Sequence, residues 1–137
     1  MIYHAASKLV SGINFWKEDN QVFRVIQFGE FIPIMVGIDY TIIDNSLIKV
    51  FEALSSSELE IEPVKILRKA TNEWWNGYSE LLIKEHIDPE NIKYADETKG
   101  SIWQYFQYIF VSEKLKERLE SIAEDQIMFS AGFSHFA

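Results

Sequence analysis

Three observations predict an α+β fold, a single domain with an antiparallel or mixed sheet and about two helices packed on it. Strand-like apolar runs recur along the chain, the plainest being "ELEIEPVKI" at 58–66. The apolar period lengthens to 3.6 residues in two clear stretches, 44–58 and 112–122. No repeat, low-complexity tract or Pro/Gly-rich linker interrupts the 137 residues, so one domain is expected over 1–137.

The elements follow in chain order. "QVFRVIQFG" (21–29) alternates, and "FIPIMVGI" (31–38) is apolar on both faces, so a hairpin or meander is expected from about 13 to 38 around the weak Gly29-Glu30 turn. In "DNSLIKVFEALSSSE" (44–58), Leu47, Val50, Phe51 and Leu54 make one helical stripe, with Asp44 or Asn45 as N-cap and the serines as the end. In 58–66, Leu59 and Ile61 point one way and Glu58, Glu60 and Glu62 the other; Pro63 removes a ladder donor and implies an edge or a bulge. Residues 72–92 fit a helix or a strand. A strand from Tyr78 to Ile87 is favoured, bracketed by an Asn76-Gly77 turn and Asp88-Pro89.

"GSIWQYFQYIFVS" (100–112) is apolar on both faces and reads as one central strand. At Ser112 a helix begins: Ser112 caps, Glu113 suits the positive end of the dipole, and Leu115, Leu119 and Ile122 form the inward seam. Lys116 and Glu120 are an (i, i+4) pair, and "DQIMFS" (125–130) reads as a closing strand.

Composition excludes several functions. Thirteen Lys and Arg face 21 Asp and Glu, a formal charge of −8, which opposes binding to nucleic acid or to anionic membranes. With no Cys there is no disulfide, thiolate nucleophile or zinc–cysteine site. "MIYHAASKLV" is no signal peptide and no apolar run approaches a bilayer span, so a cytoplasmic protein is expected. There is no phosphate-cradling glycine loop, nucleophile elbow or His-Glu-x-x-His helix, so neither an enzyme nor a cofactor is expected. His4, His86 and His135 are scattered; His86 and Asp88 would share a strand face, where they could bind a metal or form part of an acid–base couple, which leaves a small hydrolase as a minor alternative.

The partner-binding candidates lie in the middle of the chain. Residues 55–97 hold ten acids against five bases, with Trp74 and Trp75 among them. Glu58, Glu60, Glu62, Trp74, Trp75, Asp88, Glu90, Asp96 and Glu97 are the candidate contact residues, since aromatics anchor interfaces and acidic charge steers a basic partner. A small-molecule or regulatory pocket around Trp103, Tyr105 and Phe106 is the main alternative.

One resemblance bears on these readings. An "EPVKI" strand is followed by "YSELLIKEHIDPE", then an apolar strand runs into "FVSEKLKERLE", and "IMF" at 127–129 closes the set. Over residues 60–129 this order, with "VSEKLKE" its most distinctive piece, resembles a family of bacterial immunity proteins from polymorphic-toxin and contact-dependent-inhibition systems. The resemblance implies a non-enzymatic cytoplasmic protein that binds and neutralises a cognate toxin. It assigns no residue to the contact, because binding positions in such families vary with the toxin.

Overall fold

The computed structural model describes residues 1–98 and 100–132. Strands dominate it. Ten β-strands, Ile2–Ser7 (β1), Asn14–Lys17 (β2), Val22–Gln27 (β3), Ile34–Gly37 (β4), Tyr40–Asp44 (β5), Leu59–Arg68 (β6), Glu73–Ile83 (β7), Ile102–Tyr105 (β8), Tyr108–Ser112 (β9) and Ile127–Ala131 (β10), accompany two α-helices, Ile48–Glu52 (α1) and Glu113–Ala123 (α2). They form two sheets, where one was expected. The first is antiparallel, in the order β10-β1-β9-β8; the second is mixed, in the order β2-β3-β6-β7-β5-β4, with β3 and β6 parallel.

The core between the sheets explains the helices. Ile43, Phe51, Leu81, Ile83, Ile109, Val111, Leu115 and Leu119 meet in one buried cluster fed by both sheets, α1 and α2. Ser112 caps α2 as expected, its hydroxyl accepting from the Leu115 amide at 3.2 Å, and Lys116 pairs with Glu120 at 2.8 Å. Ile122 departs from the expected seam: it is 52 % exposed, and Ala123 takes the inward place. The first helix is shorter than its sequence pattern. Asp44 caps a 3₁₀ turn, Asn45–Leu47, by accepting from the Ser46 amide at 2.9 Å, and α1 then ends at Glu52.

The mixed sheet curls until its edge strands face each other. Phe15, Phe23, Met35, Tyr40, Ile42, Val64 and Ile66 fill its inner face. The Tyr40 hydroxyl crosses the seam, accepting from the Phe15 amide at 3.3 Å and donating to Asn14 Oδ1 at 3.1 Å. Burial raises the Tyr40 phenol above its ordinary pKa. The bend between the sheets falls after β7, where the Gln104 amide donates to the Glu85 carbonyl at 2.9 Å and its carbonyl accepts from Ile87 N–H at 3.0 Å. On the outer face of the smaller sheet, Ile2, Trp103 and Phe110 are covered by Ile87, Ile92 and Ala95.

Three expectations are corrected. Residues 21–29 and 31–38 do not pair: β3 pairs with β2 and β6, and β4 forms a hairpin with β5, a strand not expected from the sequence. Asn76-Gly77 is a bulge inside β7 rather than a turn; two residues oppose Lys65 alone, and Gly77 takes the φ of 95° that the bulge needs. The β6–β7 turn falls earlier, at 69–72, with Asn72 at φ 55°. Residues 100–112 are two strands, not one, folded at Phe106-Gln107. Pro63 sits beside the bulge, in a stretch of β6 that β3 does not reach, because β3 contacts only Lys65–Leu67.

Candidate functional site

A concavity with polar lining opens where the two sheets part. It encloses about 580 Å³ between the β4–β5 turn, the end of β7, residues 86–88 and the β8–β9 turn. At its inner wall is Glu80, 1 % exposed, whose carboxylate accepts from Lys17 Nζ at 2.9 and 3.0 Å and from Gln21 Nε2 at 2.9 Å. A buried carboxylate held by a cation and an amide has the partners its desolvation requires. This triad ties β2 and the turn after it to β7. Lys84, the other cation on the wall, directs its ammonium to the Ser56 carbonyl at 2.6 Å and to Glu60 at 3.2 Å.

The cleft mouth is built from two hairpin tips. Gly37 pairs with Tyr40 and Tyr105 with Tyr108, so Ile38-Asp39 and Phe106-Gln107 are two-residue turns. Such turns ordinarily carry Gly, Asn or Asp. Here Ile38 is 81 % exposed and Phe106 is 61 % exposed, with Phe106 at φ 51°. A bulky side chain with that backbone is strained. Trp16, Ile26 and Val36 continue the apolar surface along the neighbouring groove between the β2 and β4 edges, which shares Ile38, Asp39 and Tyr40 with the cleft. Asp39 and Asp88 line the cleft, both exposed, and neither carboxylate has a hydrogen bond or ion pair among the described residues.

The residues singled out in the sequence do not form one surface. Trp74 and Trp75 lie at the start of β7, roughly 25–30 Å along the strand from the end that leads to Asp88 and Glu90. Trp74 is exposed, while Trp75 packs on Phe28 and Phe31 at the far end of the curled sheet. Glu58 is a staple, accepting from the Ser101 amide at 2.6 Å, and Asp96 accepts from Thr98 N–H at 2.9 Å. Glu97 accepts from the Met1 amino group at 2.6 Å and the Glu113 amide at 2.8 Å, contacts that hold its carboxyl below the ordinary pKa. Glu60 is paired with Lys84, and together with Glu62 it lines a separate groove against α1. Asp88 and Glu90 follow β7 as exposed side chains, and Asp88 alone of the nine lines the main cleft.

His86 also lines the cleft, beside Asp88, but on the bend that pairs with Gln104 rather than on a regular strand. Among the described residues no three His, Asp or Glu side chains are grouped to hold a metal ion, and no helix is long and apolar enough to cross a membrane. Trp103 is core, whereas its neighbours Tyr105 and Phe106 stand on the cleft wall. His135 lies outside the described residues. The signal for the cleft was present in "GIDY" and "YFQY": an apolar residue at a two-residue hairpin tip violates turn chemistry, but only when the hairpin has been recognised. No family model matches the chain, and neither does any curated protein or any solved structure.

Proposed function

We propose that this is a cytoplasmic α+β immunity protein that binds a basic cognate toxin through the face carrying the cleft and its two hairpin tips, and so neutralises it. The observation that carries the reading is the run of exposed apolar side chains, Trp16, Ile26, Val36, Ile38 and Phe106, along adjoining concavities. Contiguous apolar surface of this kind is costly to leave in water and marks a contact face. The immunity-family resemblance over residues 60–129 supplies the class of partner, and the formal charge of −8 supplies its sign. Neutralisation by association needs no catalytic group, and the one buried acid of the cleft, Glu80, is fully engaged with Lys17 and Gln21.

The test is association with the toxin domain encoded by the neighbouring gene. Mixing the two purified proteins should give a stable complex on size-exclusion chromatography and abolish the toxin's activity. Elution as two separate species, with the toxin still active, would sink the reading.

A further inference from the structure

Building on that reading, we infer that the cleft between the hairpin tips is the recognition pocket for a basic side chain, arginine above all, presented by the partner. Both cations on the cleft wall are already used. Lys17 is held by Glu80, and Lys84 points away to Ser56 and Glu60. The carboxylates of Asp39 and Asp88 on the same wall are exposed and have no partner among the described residues. Among the described residues the uncommitted charge of the pocket is therefore negative, and an entering cation meets no free positive group there.

Phe106 gives this pocket its preference for a planar cation. Its ring leans edge-on against Tyr105, centroids 4.7 Å apart, and stays 61 % exposed at the rim. A guanidinium stacks on an aromatic face and reaches carboxylates with a fork of donors, a combination that suits arginine better than the point charge of lysine. A φ of 51° holds the ring at this rim, where an unstrained turn would carry glycine or asparagine. The cleft, about 580 Å³, has ample room for one long side chain. The apolar strip outside it, Trp16 to Ile38, would then cover the partner's surface around the inserted residue.

Two measurements, one with the toxin and one without, separate this inference from the function it deepens. With the neighbouring gene's toxin domain, Asp39→Asn/Asp88→Asn should weaken calorimetric affinity at least about tenfold, and Phe106→Ala similarly, while Glu62→Gln in the distant groove changes it less than about twofold. Toxin bound equally by wild type and the double variant overturns the pocket and leaves the immunity function standing. If wild type binds no toxin, the functional reading falls and an NMR titration with arginine amide decides alone. Saturable shifts at the Gln104, Phe106 and Ile87 amides, absent in the double variant and with the uncharged citrulline amide, support the pocket. No shift, or equal shifts with citrulline amide, overturns it. Asp39, Asp88 and Phe106 are exposed and Glu62 is half-buried, and near-UV circular dichroism confirms that each variant is folded.

Discussion

The β9–α2 junction and the β8–β9 turn lie only a few residues apart in sequence, yet they treat local rules in opposite ways. At the junction each choice agrees with the fold: Ser112 caps, Leu115 and Leu119 are buried, and Lys116 pairs with Glu120. At the turn, a phenylalanine takes a backbone conformation suited to glycine and leaves its ring in solvent. Consistency across levels marks scaffold, and an uncompensated violation marks a place kept for something other than folding. The β4–β5 tip likewise leaves an apolar side chain, Ile38, in solvent, without the positive φ.

The largest effect should come from the scaffold side. Leu119 is wholly buried in the cluster joining α2 to both sheets. Leu119→Ala should cost about 2–5 kcal/mol in urea unfolding, whereas Ile122→Ala, on the exposed face, should cost less than about 0.5 kcal/mol. Equal losses would mean that α2 is not docked by this seam. On the cleft side, Gly37→Ala comes next. An added methyl would run into the Tyr40 ring, which cannot retreat because Phe15, Phe23 and the hydrogen bonds across the seam hold it. Overpacking of this kind costs about 1–3 kcal/mol. An unchanged unfolding midpoint would show that the two edges are not joined through Tyr40.

Phe106 sharpens the comparison most directly, because stability and binding should part company there. Phe106→Ala removes the ring and keeps the positive φ; Phe106→Gly removes the ring and relieves the strain. The glycine variant should therefore be the more stable of the two by about 1 kcal/mol. Both should lose the same affinity for the toxin. The reverse order of stability would mean that the turn is not strained. Ser112→Ala should give a loss of similar size, about 1 kcal/mol, through the uncapped Leu115 amide.

What the sequence revealed follows the same division. Helix α2, its cap and its ion pair were readable because their causes lie within four residues of each other. Strand β6 was readable because Leu59 and Ile61 alternate with the glutamates. The pairing of β3 with β6 was not, since a parallel contact between Val22 and Lys65 depends on the curl of the whole sheet. Asn76-Gly77 fits a turn and a bulge equally well, and only the partner strand decides between them. The nine candidate contact residues share only charge or aromaticity, and a long antiparallel ribbon carries Trp74 and Asp88 to opposite ends. Glu80 was hidden among many acids; its importance comes from Lys17, 63 residues away.

The smallest effect tests how completely the junction is satisfied. Besides Ser112, the first turn of α2 is held by Glu97, which accepts from the Glu113 amide and from the Met1 amino group. The bond to the amino group is the main cause of the lowered Glu97 pKa, and the backbone bond adds to it. A carboxyl depressed in the folded state contributes stability that is full above its unfolded pKa, about 4.3, and is lost as pH falls through the folded value. The amino group is shifted the opposite way, upward, chiefly by the same hydrogen bond. Its contribution is full below its unfolded pKa, near 8, and fades as pH rises through the folded value. The difference in melting temperature between wild type and Glu97→Gln should therefore be widest between about pH 5 and 8 and narrow on both sides. Both groups face solvent, so screening keeps the difference to about a degree or two and added salt should shrink it. A gap that persists unchanged at pH 3 would show that the glutamate acts through its shape rather than its charge, and that the capping of α2 is complete without it.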